Sequence, residues 1–184
     1  MKFVKPIVLL AVLAALGVWL WTVLFPSPEK IIRKQLLSLA RDVSFSQSEN
    51  DLAKIARAQN IPNFFASNVV VNVTVPNHEQ KSIIGRDEIL QAALATRQTS
   101  GIDLKFPDIN VEVAPDKNSA TADVTVDANV SGEHDAILQE VKFTFEKVDG
   151  KWLIDKVETV RVLSRAVRPI LAFQPSKLFL IIVG

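Results

Sequence analysis

Twenty consecutive residues without a charge, Pro6 to Phe25 (PIVLLAVLAALGVWLWTVLF), constrain this chain before anything else does. Wound as a helix, about 20 apolar residues span roughly 30 Å, the hydrocarbon thickness of a bilayer. Lys2 and Lys5 precede the run. Trp19, Trp21 and Phe25 close it, where an interfacial aromatic belt would stand. A cleaved secretory signal has a shorter apolar core and a small-residue cleavage site. Residues 1–25 are therefore expected to stay as an uncleaved single-pass anchor, with Pro6, Trp19, Trp21 and Phe25 meeting lipid. The positive-inside rule holds Lys2 and Lys5 in the cytoplasm and sends the remainder to a periplasmic or extracellular space. Lys30, Arg33 and Lys34, just past the run, weaken that charge asymmetry.

Pro26-Ser-Pro28 stops the apolar helix and forms a short stiff linker over residues 26–28. Residues 29–163 have the size and apolar content of one domain with a full core. Cysteine is absent, which excludes disulfides, thiolate metal sites and a lipid-modified cysteine anchor. The net charge is +1, and −1 once Lys2 and Lys5 are set aside. A nucleic-acid binder needs a basic face to displace counterions, so no nucleic-acid partner is expected.

Periodicity organises the domain. Glu29 to Asp42 reads as an amphipathic helix with Ile31, Ile32, Leu36, Leu39 and Ala40 on one face. Ser48 is placed as the N-cap of a second helix through Asp51, Leu52, Ile55 and Ala58, ending near Asn60 and Pro62. Val69 to Val75 alternates as a strand, and Ser82 to Ile84 is a short one. Gly85-Arg-Asp87 leads into a third helix, Glu88 to about Arg97, with Ile89, Leu90, Ala93 and Leu94 as its stripe. Strands follow alone. Ile102, Leu104 and Phe106 alternate, then the phase shifts at Pro107-Asp108, which a bulge explains. Ala120 to Val130 and Ile137 to Val148 come next. Asp149-Gly150 is a hairpin turn into a last strand, Trp152 to about Leu163. The order α-α-β-β-α-β-β-β-β marks an α+β domain: three helices on one face of a curved antiparallel sheet.

Three phrases carry a family resemblance: Phe64-Phe-Ala-Ser-Asn-Val-Val-Val-Asn-Val, Ile84-Gly-Arg-Asp-Glu-Ile-Leu, and Phe143-Thr-Phe-Glu-Lys-Val-Asp-Gly-Lys-Trp-Leu-Ile-Asp-Lys-Val. In that order and spacing they resemble the nuclear transport factor 2-like (SnoaL-like) superfamily, within the cystatin-like folds. The resemblance implies a cone with a cavity between sheet and helices. Phe64, Phe65, Val71, Leu94, Val124, Phe143, Phe145 and Trp152 are the expected lining. Some members of the superfamily are enzymes and many only bind or assemble, so fold does not give function. An anchor followed by such a cone also resembles, in architecture alone, the inner-membrane assembly factors of type IV secretion systems.

Enzymes of this superfamily place acids, histidines or tyrosines inside the cone. The alternation here puts apolar residues inward: Ala122, Val124 and Val126 on one strand, Val141, Phe143 and Phe145 on the next. Asp123 and Asp127 then face out, about 13 Å apart at strand rise, too far to share a proton. His78 and His134 stand in turns, and Glu133-His-Asp135 reads as a solvated hairpin tip. No tyrosine exists to stabilise an oxyanion. No catalytic residue, metal site or cofactor is assigned. Should an acid be needed, Asp108 and Asp155 are the candidates, because bulges change facing. The expected function is a membrane-anchored, non-catalytic binding or assembly domain for an apolar ligand or a protein partner. The alternative is a SnoaL-like lyase or isomerase acting on a small hydrophobic substrate. A homodimer through the outer sheet face is disfavoured by its polar residues.

Residues 164–184 form a basic, apolar tail whose second apolar run, Leu178 to Val183, is too short to span. Three readings stand: it packs on its own domain, it lies on anionic membrane, or it hooks a partner.

Overall fold

The computed structural model describes residues 26–74, 81–97, 101–132 and 137–163, with Leu16 alone before them. Pro6, Trp19, Trp21 and Phe25 of the expected anchor, His78 and His134, and the 164–184 tail lie outside the described residues. Among the described residues no helix is long and apolar enough to cross a membrane.

Helix α1 (Pro28–Val43) follows Ser27 directly, and proline at its first position matches the helix's fixed φ. It buries Ile32, Leu36, Leu39 and Ala40 against the sheet. Ile31 departs from the expected face and is 40% exposed, because the buried stripe is centred one residue later. Polar side chains lock α1 to the strands beneath it. The Gln35 amide donates to the Trp152 carbonyl at 2.9 Å. The Arg33 guanidinium donates to the Ile109 carbonyl.

Helix α2 (Asp51–Asn60) is capped by Asn50, whose side chain accepts the Leu52 N–H at 2.8 Å. Ser48 is not the cap: its hydroxyl pairs with that of Ser46 at 3.0 Å. The expected apolar face is also corrected. Leu52 is 76% exposed, Ile55 is 42% exposed, and Ala58 alone of that helix is buried. A 3₁₀ turn (Ile61–Phe64) then delivers the chain to the sheet.

The six strands are β1 (Phe65–Val73), β2 (Lys81–Ile84), β3 (Ile102–Val113), β4 (Ser119–Val130), β5 (Ile137–Val148) and β6 (Lys151–Leu163). Their order is β2-β1-β6-β5-β4-β3. The sheet is mixed, not antiparallel throughout, since β1 runs parallel to β6. The chain leaves β1 through β2 and the third helix and returns along the far edge, so its first and last strands meet alongside. The anticipated bulge is present, as the β3–β4 register shifts between Lys105 and Asp108. Asp149 and Gly150 both take positive φ, 50° and 78°, as a tight two-residue hairpin requires.

Helix α3 (Gly85–Thr96) begins at Gly85 itself, three residues earlier than the stripe indicated. Gly85 has φ +82°, where a side chain is strained, and a Cβ there would meet the Ser67 carbonyl oxygen at 3.4 Å. The Glu88 carboxylate accepts the Ile84 N–H at 2.9 Å, satisfying a donor the helix start leaves open. The core lies between α1, α3 and the concave sheet face. Phe145, Ile32, Leu36, Ile154, Val69 and Val124 are its largest fully buried side chains.

Candidate functional site

One row of cross-strand neighbours builds the floor of a cavity. Ile83 on β2 faces Val71 on β1, Val71 faces Val157 on β6, and Val157 faces Phe143 on β5. Because opposed residues share a face, four apolar side chains line up across four strands. Ile89, Ala92, Ala93, Thr96 and Arg97 of α3 and its C-cap lie over that row. Val43, Ile61, Phe65 and Ile102 close the sides. The cavity is open on one side and its volume is about 260 Å³. Small residues at 92 and 93 leave this space; larger ones would pack α3 onto the sheet.

Of the expected lining, Phe65, Val71 and Phe143 are found here. Val124, Phe145 and Trp152 are instead buried in the solid core, and Phe64 packs against that core. Leu94 is half-buried and takes no part in the lining, which falls one residue to its side, at Ala93. Asp108 is exposed after the β3 bulge. It borders a shallow depression on the outer sheet face with Asn110, Asp123, Thr125 and Glu140. Asp155 is half-buried at a second irregularity, where the β5–β6 register shifts between Thr144 and Phe145. Neither acid lines the cavity.

Two polar residues do reach the lining. Thr96 donates its hydroxyl to the Ala92 carbonyl at 2.6 Å. Arg97 continues the Ile89, Ala93 spacing by one more turn; the helix is expected to end at about this residue, and its expected stripe stops at Leu94. Its Nη1 donates to the Val43 carbonyl at 2.8 Å and its Nη2 to the Asp42 carbonyl at 2.5 Å. Phe45 lies under the guanidinium, 4.3 Å from ring centroid to Cζ. Phe45 is held by a two-way backbone bridge to Ile102, at 2.8 and 2.9 Å. Burial lowers the Arg97 pKa from its ordinary value; nearby Arg57 adds to this, while Glu49 and Asp42 oppose it.

A second inward polar residue was also missed. Gln139 is buried on β5, at the parity of Val141 and Phe143, and its Oε1 meets no donor among the described residues. Extending the alternation back two positions finds it. A larger polar groove of about 540 Å³ sits at the hairpin end of the sheet, lined in part by Arg86, Glu146, Asp149 and Lys151. Its Arg86 is already engaged, donating from Nε to the Phe65 carbonyl at 2.6 Å. Among the described residues no group of three or more acids or histidines could hold a metal ion.

No family model matches the chain. No curated protein matches it either. Solved structures do. An NTF2-like protein of unknown function from Pseudomonas putida superposes with a TM-score of 0.55 at 11% identity, over 71% of this chain and 84% of that one. A structure named as a candidate scytalone dehydratase from Novosphingobium aromaticivorans gives 0.54 at 16% identity, over 74% and 84%. Yeast Bre5, named as a UBP3-associated protein, gives 0.56 at 14% identity, over 76% and 99%. At these identities the likeness is one of fold. The chain has the nuclear transport factor 2-like, or cystatin-like, α+β fold: a curved mixed sheet closed over by helices.

Proposed function

We propose that this protein is a membrane-anchored, non-catalytic binding domain outside the cytoplasm, taking a small apolar ligand into its cone or holding a protein partner at the membrane. The observation that carries the reading is the cavity's lining: apolar side chains apart from Thr96 and Arg97, with no carboxylate or imidazole among the described residues. General acid–base chemistry needs such a group within reach of the substrate. Among the described residues the lining offers a lyase or isomerase no such group, and Asp108 and Asp155 lie elsewhere, which supports binding over the lyase or isomerase alternative.

The charge-free run over residues 6–25, with Lys2 and Lys5 before it, supports the anchor and its orientation. Only Pro26 and Ser27 separate that run from α1, which would hold the cone close to the bilayer. The similar fold of Bre5, a protein named for its association with another, supports the partner arm.

The test uses the full chain in phosphatidylcholine nanodiscs, titrated calorimetrically with phenylpropanol against an empty-disc blank. Binding to the natural chain and none to Ala93→Phe, which fills the cavity, is the expected result. Equal heats from both proteins would place the binding elsewhere and overturn the reading. Resistance of the protein to alkaline extraction, with protease access from outside the cytoplasm, tests the anchor; release from the membrane would refute it.

A further inference from the structure

We infer that the exposed face of α1 lies along an anionic phospholipid surface beside the anchor, with Leu37 among the headgroups and Lys30, Lys34 and Arg41 on lipid phosphates. The inference rests on the reading of residues 1–25 as a membrane anchor and goes beyond it.

Helix α1 carries two faces of different chemistry. One is the core stripe of Ile32, Leu36, Leu39 and Ala40. On the other, Lys30, Lys34, Leu37 and Arg41 recur at i, i+4, i+7 and i+11, and all four are exposed. At 3.6 residues per turn these positions fall within about 60° of one another, and at 1.5 Å per residue they run for about 16 Å. Leu37 is 50% exposed and stands one turn from Lys34 on one side and from Arg41 on the other.

This stripe holds no carboxylate. Glu29 sits about 100° round the axis from Lys30, and Asp42 is buried. Lys30 and Lys34 enter none of the ion pairs among the described residues. The Arg41 side chain is 74% exposed, with its Nε 3.9 Å from Asp42 Oδ1. Arg33 is not part of the stripe, because it donates to the Ile109 carbonyl on the sheet. The strands differ: Lys105, Lys142, Lys156 and Arg161 each pair with a carboxylate. Unpaired cations around an exposed leucine complement an anionic interface, which takes the charges at its phosphates and the apolar side chain just beneath. The long basic side chains reach those phosphates while their stems lie along apolar surface.

The backbone permits the placement. Ser27 is extended, at φ −61° and ψ 149°, so α1 does not prolong the axis of the chain before it. Pro28 enforces that break, since the residue before a proline is held out of the helical region. Pro26 and Ser27 alone separate the apolar run from α1. Two residues reach at most about 7 Å, within the screening length of about 8 Å at physiological salt. The start of the stripe is then close enough to feel the lipid charge, and α1 is free to turn into the plane of the bilayer.

The chain has no cysteine, so a nitroxide on Leu37→Cys reports one site. Leu52→Cys on α2, where the leucine is 76% exposed, is the aqueous control. Each labelled full chain is placed in nanodiscs of phosphatidylcholine alone or mixed with phosphatidylglycerol. Collisions with a water-soluble nickel chelate and with oxygen then give the depth of the label. In mixed discs the label at 37 is expected to be shielded from nickel and open to oxygen, while the label at 52 stays aqueous. Phosphatidylcholine alone, or salt at about 1 M, where the screening length falls to about 3 Å, is expected to return the label at 37 to water. Lys34→Gln is expected to lower the ratio of docked to free label about fivefold, the share of one cation at an anionic surface. Lys34→Arg is expected to keep it. Equal nickel access at 37 in the two lipids overturns the inference, as does shielding that survives high salt or Lys34→Gln. Failure of the chain to co-elute with the discs overturns the anchor reading as well.

Discussion

Asp42 is a carboxylate inside the fold, 6% exposed, on the last turn of a helix whose neighbours are apolar. Its Oδ2 is satisfied by the Asn60 amide. Asn60→Ala leaves the charge buried and short of a donor, at about 1–3 kcal/mol. Urea denaturation should register that loss, and an unchanged midpoint would show that the bond carries no stability. At Gly85 the positive φ sets the cost of a side chain. Gly85→Ala should destabilise by about 1–2 kcal/mol, although the added methyl meets only ordinary contact. The two residues differ in how visible they are in the sequence. Gly85 and the Asp149-Gly150 turn are legible, because left-handed backbone is a local demand that glycine meets. The Asn60–Asp42 bond is not, because it joins residues that meet only after two helices have docked. Arg97 lay at the edge of a helix whose end was placed approximately, so its inward facing was lost with the boundary.

At the scale of elements, burial separates adjacent residues of one chemistry. On α1, Leu36 is fully buried and Leu37 is half exposed. Leu36→Ala should cost about 2–5 kcal/mol. Leu37→Ala should stay within about 0.5 kcal/mol, as exposed positions do. Comparable losses at both, read by thermal or chemical unfolding, would mean that α1 docks in another rotation. Strands and α1 were legible because period 2 and period 3.6 patterns are strong when one face is buried. Helix α2 was not: Leu52 and Ile55 supply the apolar spacing but stay exposed, and Ala58 alone of that helix is buried. Leu94 misled by one position, being half-buried beside the lining residue Ala93. The bulge at Pro107-Asp108 was legible as a phase shift, yet its consequence for Asp108 required the strand's final register.

At the scale of the molecule, the α+β order was readable, but the parallel pairing of β1 with β6 was not. Pairing between ends of the chain leaves no mark on either strand's own pattern, and only the closed topology brings Val71 beside Val157. The cavity depends on that pairing, which is why three of its eight expected lining residues, Val124, Phe145 and Trp152, fell in the solid core. Phe65 and Val71 of β1 and Phe143 of β5 line the space, and small Ala92 and Ala93 of α3 keep it open. A volume of about 260 Å³ under a short helix is sensitive to one side chain. The account's central claim is that this space is used. The most direct measurement is mass spectrometry of organic extracts from the full chain purified out of membranes, natural sequence against Ala93→Phe. The account predicts a small molecule of about ten non-hydrogen atoms, near one per chain, in the natural protein and absent from the variant. Identical extracts from the two proteins would contradict it.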